Sequence, residues 1–173
     1  IEILKSKFLF NEIIETPYFR ENIFASQDID PITGKISYDP KLYDPELSAW
    51  VRKPKGNIKE KPSNLEVFEV FKKTFNVVKN KETGFIKISY EHISPKFSKA
   101  VLDAMVQKTN ELTRLKAMDS TSKSIEYLKL QLENNQQNEI ISSINAVMES
   151  QLKKQMLANV QVDYLITPVD PPF

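Results

Sequence analysis

From Phe85 to its last residue the chain contains no glycine, and after Ser94-Pro95 no helix breaker interrupts it for about forty residues. Ser94 can accept an orphan amide bond, and Pro95 at the first helical position gives up a donor that would have had no partner. This predicts one helix on the order of 60 Å long, far beyond the globular average. The polar run Asn134-Asn135-Gln136-Gln137-Asn138 is the first pause. Beyond it Ile140, Ile141, Ile144, Val147, Met148, Leu152 and Met156 recur by threes and fours, predicting a return helix to Ala158 about half as long as the first. If the arms are antiparallel, the early part of the long helix lacks a hairpin partner and must cover a sheet.

The earlier part of the chain supplies that sheet. Residues Ile1 to Glu15 place Ile3, Leu4, Phe8, Phe10 and Ile14 at helical spacing, and Thr16-Pro17 argues for a stop. Most of the ten prolines lie before Ser63, and residues 26–62 are dense in turn dipeptides such as Asp30-Pro31, Thr33-Gly34, Asp39-Pro40 and Asp44-Pro45. That stretch reads as an irregular excursion, with a short helix near Pro45 to Val51. Ser63-Asn64-Leu65-Glu66 is a capping box, predicting a helix to about Phe75 that buries Leu65, Phe68 and Phe71. Phe75 to Lys79 and Phe85 to Glu91 read as a hairpin closed by Asn80-Lys81-Glu82-Thr83-Gly84, with Ile86, Ile88 and Tyr90 on one face. Val160 to Thr167, alternating Val162, Tyr164 and Ile166, predicts a strand rejoining that sheet. The expected class is α+β: residues 1–93 and 159–173 form an α/β base with the excursion 26–62, and residues 94–158 form the long helix and its antiparallel return.

A strict four-three alternation from Phe97 reaches Val101, Ala104, Lys108, Glu111, Leu115, Met118, Ser122, Ile125, Lys129 and Leu132, of which Lys108, Glu111, Ser122 and Lys129 are polar. That excludes a simple dimeric zipper and favours sideways packing against several neighbours.

Composition narrows the function classes. The 24 basic and 23 acidic side chains nearly cancel, so no broad positive field exists for nucleic acid. There is no cysteine, hence no disulfide or thiolate chemistry, and the single histidine, His92, excludes a multi-histidine metal site. Three scattered glycines cannot form a phosphate-binding loop or a dinucleotide fingerprint. No apolar run approaches the roughly 20 residues of a membrane-spanning helix. A start at Ile1 and an end at Pro171-Pro172-Phe173 read as a segment of something larger.

The second half resembles a known family. Gly84-Phe-Ile-Lys-Ile-Ser-Tyr-Glu-His-Ile-Ser-Pro95 is similar to the strand that leads into the Ser/Asp-Pro helix start of Wzz-type polysaccharide chain-length determinants, the polysaccharide co-polymerases. Lys123-Ser-Ile-Glu-Tyr-Leu-Lys-Leu-Gln-Leu132 resembles that family's "SIEYL" segment. Glu149-Ser-Gln-Leu-Lys-Lys-Gln-Met-Leu-Ala158, Asp163-Tyr164 and Val169-Asp170-Pro171 resemble the end of the same domain, and Ile3-Leu4-Lys5-Ser6 resembles its opening "ILKS" helix. The resemblance implies a periplasmic domain held in a bacterial inner membrane by a transmembrane helix on each side. It implies a small membrane-proximal α/β base with a long helix and helical hairpin extension, assembled side by side into a homo-oligomeric ring. It further implies that the ring, without enzymatic activity or cofactor, sets the chain length of O-antigen or related lipid-linked polysaccharide made by a separate polymerase. The stretch between Leu132 and Ile140 is shorter than in many relatives, and residues 26–62 match nothing in the family pattern. Two alternatives stay open: a capsule or exopolysaccharide co-polymerase with a kinase or export role, and a coiled-coil adaptor.

Candidate contact residues follow. Arg114, Asp119, Lys123, Glu126 and Lys129 on the long helix are expected oligomer contacts. Trp50, near Tyr38, Tyr43 and Arg52, has the chemistry of a sugar-stacking platform, and equally that of buried area, the commoner use. Lys53, Lys55, Lys59 and Lys61 have the charge to meet an anionic lipid or polymer, or to solvate a loop. Asp28, Asp30, Asp39 and Asp44 lack calcium-loop spacing and fit turn initiation. Met105, Met118, Met148 and Met156 read as core filler.

Overall fold

A computed structural model of the protein describes residues 1–56 and 58–172. The chain is α+β and divides into two compact units, one of Ile1–Val106 with the residues from Asp170 on, the other of Gln107–Val169.

The first unit opens with a 3-10 turn, Glu2–Lys5, and helix α1, Lys7–Ile14, rather than one continuous helix. Ser6 causes the break: it is extended, and its hydroxyl caps α1 by accepting the Leu9 amide. The apolar stripe is accordingly displaced, with Leu9, Phe10, Ile13 and Ile14 buried and Phe8 exposed. Pro17 ends this segment as expected, but a second helix, α2, Phe19–Ala25, starts at once behind Tyr18, which sits in the left-handed region at φ 65°. Helix α3, Asn64–Thr74, carries the full capping box at Ser63 and Glu66. It buries Val67, Phe68 and Phe71, and Leu65 faces outward instead.

Residues 26–62 are more regular than their punctuation suggests. Strands β1, Ser26–Ile29, and β2, Ile36–Tyr38, form an antiparallel hairpin, as do β3, Tyr43–Asp44, and β4, Ala49–Trp50. The helix expected near Pro45 to Val51 is therefore a turn followed by β4. Asp44 Oδ1 accepts the Glu46 and Leu47 amides there, a side-chain turn that competes with helix formation. Strands β5, Phe75–Lys79, and β6, Ile86–Tyr90, pair as the expected antiparallel hairpin, with Val77 opposite Ile88.

The β1–β2 and β5–β6 hairpins share one turn design, fifty residues apart. Asp30 and Asn80 each donate their amide across the loop, to the carbonyls of Lys35 and Phe85 at 2.9 and 2.8 Å. Their side chains accept the amide two residues on, at 2.9 and 2.8 Å. Thr33 and Thr83 accept the amides of Lys35 and Phe85, and Gly34 and Gly84 take φ of 68° and 75°. Each hairpin also follows a helix directly, α2 or α3. The sequence signal was Asp/Asn-x-x-Thr-Gly in both places. A Cβ on Gly84 would meet open space, so Gly84→Ala should cost only the left-handed backbone penalty, about 1 kcal/mol. Thermal denaturation checks this, and a loss several times larger would mean the turn contributes through packing instead.

Helix α4, Pro95–Asn134, has the expected length, and Ser94 caps it by accepting the Phe97 amide. Its first turns bury Phe97, Val101 and Met105, with the Phe97 ring edge-on to Phe19 at 5.2 Å and against His92 at 4.8 Å. The core between α1, α3 and β5–β6 is aromatic, with Phe71 at its centre: its ring lies 5.0 Å from Phe10, 4.8 Å from Phe75 and 5.3 Å from Tyr90.

In the second unit, the rest of α4 turns through 135–137 into α5, Asn138–Val160. Gln155 Nε2 donates to Ser122 Oγ at 2.8 Å, a contact between the two helices across the hairpin they form. On α5 the covered positions are Ile141, Ile144, Met148, Gln151, Gln155 and Ala158, a strict alternation of three and four. Val147, Leu152 and Met156, expected on that seam, are exposed at its flanks.

The strand expected over 160–167 does not form. Helix α5 takes Val160, and the following segment is held by a side chain in place of a neighbouring strand. Asn110 Oδ1 accepts the amides of Leu165 and Ile166 at 2.9 and 2.7 Å, and its Nδ2 donates to the Ile166 carbonyl at 2.8 Å. One amide group thereby does what a strand edge would have done.

Candidate interaction face on the long helix

Covered positions on α4 are not those of a heptad. Phe97, Val101, Met105 and Thr109 are buried in steps of four, and Ala117, Thr121 and Ile125 continue the same steps. Each step of four turns about 40° past a full revolution, so the covered line winds round the helix. This explains why the alternation drawn from Phe97 met polar residues at Lys108, Glu111, Ser122 and Lys129. It also leaves room for polar side chains in the row: the Thr121 hydroxyl, 5 % exposed, donates to the carbonyls of Ala117 and Met118.

Opposite Thr121 and Ile125 the helix is open. Leu115, Asp119, Glu126, Tyr127 and Leu130 lie on that side with Lys123, spaced by threes and fours, and all are exposed. Asp119 and Lys123 pair with one another at 2.7 Å, both well exposed, an i,i+4 contact worth only a few tenths of a kcal/mol to the isolated helix. Of the five expected contact residues, Asp119, Lys123 and Glu126 share this face, and Lys129 is exposed one step further round, toward the covered side. Arg114 does not join them. It is half-buried in a polar cleft of about 260 Å³ with Asn110, Glu111 and Asp163.

Trp50 sits in an aromatic cluster. Its ring is edge-on to Tyr43 at 5.2 Å and to Phe24 at 6.0 Å, and it is half-buried. Arg52 lies over Phe24 and binds Glu66 at 2.7 Å and the Lys59 carbonyl, so its guanidinium braces the loop. Asp30, Asp39 and Asp44 each accept a backbone amide two residues on, and Asp28 accepts the next one. No group of three or more His, Cys, Asp or Glu side chains placed to hold a metal occurs among the described residues.

His92 connects elements of the first unit. Nδ1 accepts the Ser94 amide at 3.1 Å, and Nε2 lies 2.9 Å from both the Asn22 carbonyl and the Ser26 hydroxyl. The neutral ring protonated on Nε2 satisfies all three. Burial pushes its pKa below the ordinary value of 6.5, opposed by those backbone bonds. As pH falls through 6.5 the unfolded chain takes up a proton that the folded chain refuses, so stability should be full above that value and decline below it. His92→Gln should flatten this acid limb in melts between about pH 7.5 and 5. An unchanged slope would assign the acid sensitivity to other groups.

Two side chains that the sequence pattern did not single out organise the structure, Asn110 and Arg20. Both are polar residues inside helices at covered positions, 3 % and 7 % exposed. A polar residue on the apolar side of a helix was the available signal.

No family model matches the chain, and no curated protein or solved structure matches it significantly.

Proposed function

We propose that the chain is a non-enzymatic assembly element of the Wzz type: the periplasmic part of an inner-membrane polysaccharide co-polymerase whose copies stand side by side and set glycan chain length for a partner polymerase. One observation carries the reading. A 40-residue helix, capped by Ser-Pro and returned by a 23-residue partner, keeps one long side uncovered with charge and apolar area mixed on it. Such a side has little to offer a lone chain. Leu115, Tyr127 and Leu130 are each about half exposed or more, at 47 %, 62 % and 51 %, and interleave with Asp119, Lys123 and Glu126. Apolar area supplies affinity and the charges supply register when copies meet. The Gly84 to Pro95 resemblance supports the family, and the segment it covers is the one that ends in the cap of that helix. No helix among the described residues is long and apolar enough to cross a membrane, so anchoring in this reading belongs to flanking segments.

The test uses the full-length protein in its cell. Asp119→Lys with Lys123→Glu reverses two charges while keeping the intrahelical pair, so the fold should survive. The expected result is a changed ladder of polysaccharide lengths together with changed sedimentation of the detergent-extracted oligomer. An unaltered ladder and an unaltered oligomer would sink the assignment of this face.

A further inference from the structure

The outward face of the β5–β6 hairpin carries apolar side chains where a one-sided sheet is ordinarily polar. Phe75, Val77 and Tyr90 lie on the side that packs on the core, with Val77 and Tyr90 both buried. On the other side Val78 stands directly opposite Lys87, and one step nearer the loop the Asn80 amide donates to the Phe85 carbonyl. Val78, Phe85 and Lys87 are therefore neighbours on one face. Val78 is 51 % exposed and Phe85 62 %. The turn does not require either of them. In the β1–β2 hairpin the same loop chemistry is built with Asp28 at the position of Val78 and Lys35 at that of Phe85. Around the apolar pair stand Lys79, Lys81 and Lys87, all exposed and none in an ion pair among the described residues, and the only carboxylate between residues 78 and 87 is that of Glu82. The loop also satisfies its own backbone. Asn80 donates to the Phe85 carbonyl, Glu82 and Thr83 to Asn80 Oδ1, Gly84 to the Asn80 carbonyl and Phe85 to Thr83 Oγ1, so these five amides need no water.

We propose that the tip of the β5–β6 hairpin docks on an anionic lipid bilayer, with Val78 and Phe85 entering the headgroup boundary and the ammonium groups of Lys79, Lys81 and Lys87 meeting lipid phosphates. Lysine stems lie along apolar surface while their charges reach past it, which suits a patch rimmed in this way. A protein partner fits less well. Two side chains fall far short of the about 800 Å² per partner that a stable protein interface buries, whereas a bilayer adds apolar and electrostatic contributions residue by residue. A loop whose amides are already bonded also enters a water-poor layer at little cost. The docking involves residues 78–87 alone and does not depend on the assembly face of α4.

The chain would be floated in about 0.1 M salt with vesicles of phosphatidylcholine alone and with vesicles that include about 30 % phosphatidylglycerol. It should rise with the second and stay behind with the first. Replacing Lys79, Lys81 and Lys87 together by Gln should weaken partitioning about fivefold per lysine, on the order of 100-fold in all. Val78→Thr with Phe85→Ser should weaken it about tenfold or more, and Lys35→Gln on the matched hairpin should leave it unchanged. These side chains are exposed, so the melting temperature should stay in place in every variant. Phe85→Trp reads entry directly: its emission should move to the blue with anionic vesicles, beyond any change that Trp50 shows in the parent chain. Absence of flotation, flotation that survives the Val78 and Phe85 substitutions, or an unmoved emission would overturn the proposal. So would a change in vesicle-free sedimentation on substituting Val78 and Phe85, because the patch would then meet a second copy of the chain.

Discussion

Phe71→Ala should cost about 3–5 kcal/mol and lower the melting temperature by on the order of 10 °C or more. The ring is 2 % exposed and touches three others, stacked on Phe75 at 4.8 Å and tilted against Phe10 and Tyr90. Those neighbours come from α1, β5 and β6, none of which can follow an alanine inward without disturbing a second packing partner. Phe10 is also fixed by Phe68 at 5.2 Å, and β5 is held across its length by β6. The space left would therefore persist as a cavity, and cavity persistence is what separates the costly large-to-small changes from the mild ones. Phe71→Leu, which keeps most of the volume, should cost much less. If the alanine variant melts within a degree or two of the parent, the ring is not the centre of this core.

That core was largely legible beforehand. Phe68, Phe71 and Phe75 sit on a helix and strand whose boundaries follow from a capping box and a hairpin loop, both local chemistry. The 40-residue α4 was legible for the same reason, since Ser94-Pro95 starts it and nothing stops it. Less visible was which side of a helix faces inward. Leu65 and Phe8 fit an apolar stripe as well as Val67 and Leu9 do, and only tertiary packing decides between stripes about 100° apart at Phe8 and Leu9 and about 160° apart at Leu65 and Val67. The winding row on α4 hid its covered side more thoroughly, because buried Thr109 and Thr121 look like surface residues until their neighbours are known. Residues 26–62 read as an irregular excursion and instead hold two hairpins, while the aspartates fitted turn initiation and do so: Asp30, Asp39 and Asp44 each begin a turn by accepting the backbone amide two residues on. Among the candidate contact residues, helical spacing alone was enough to group Asp119, Lys123 and Glu126. It could not place Arg114, whose surroundings are set by the segment beyond α5.

Asn110→Ala should cost about 2–3 kcal/mol in the second unit, an unusual loss for one small polar side chain. Asn110 is 3 % exposed and its amide makes three bonds of 2.7 to 2.9 Å to the backbone of Leu165 and Ile166, with a longer one of 3.5 Å to Asp163. Alanine removes all of them and leaves the Leu165 and Ile166 amides and the Ile166 carbonyl without their partner. These groups have no strand beside them, so water is the only replacement, and the segment after α5 must loosen to admit it. The clearest readout is local: hydrogen exchange at Leu165 and Ile166 should accelerate by one to two orders of magnitude, roughly the factor that 2–3 kcal/mol implies. Asn110→Asp discriminates further. It keeps the acceptor for both amides, loses the donor to the Ile166 carbonyl and sets a second carboxylate beside Asp163. Its defect should therefore shrink as pH falls and the introduced carboxylate protonates, while that of the alanine variant should not. Protection at Leu165 and Ile166 that survives in the alanine variant would mean that the chain after α5 is held by its apolar side chains, and that the strand expected there failed for some reason other than Asn110.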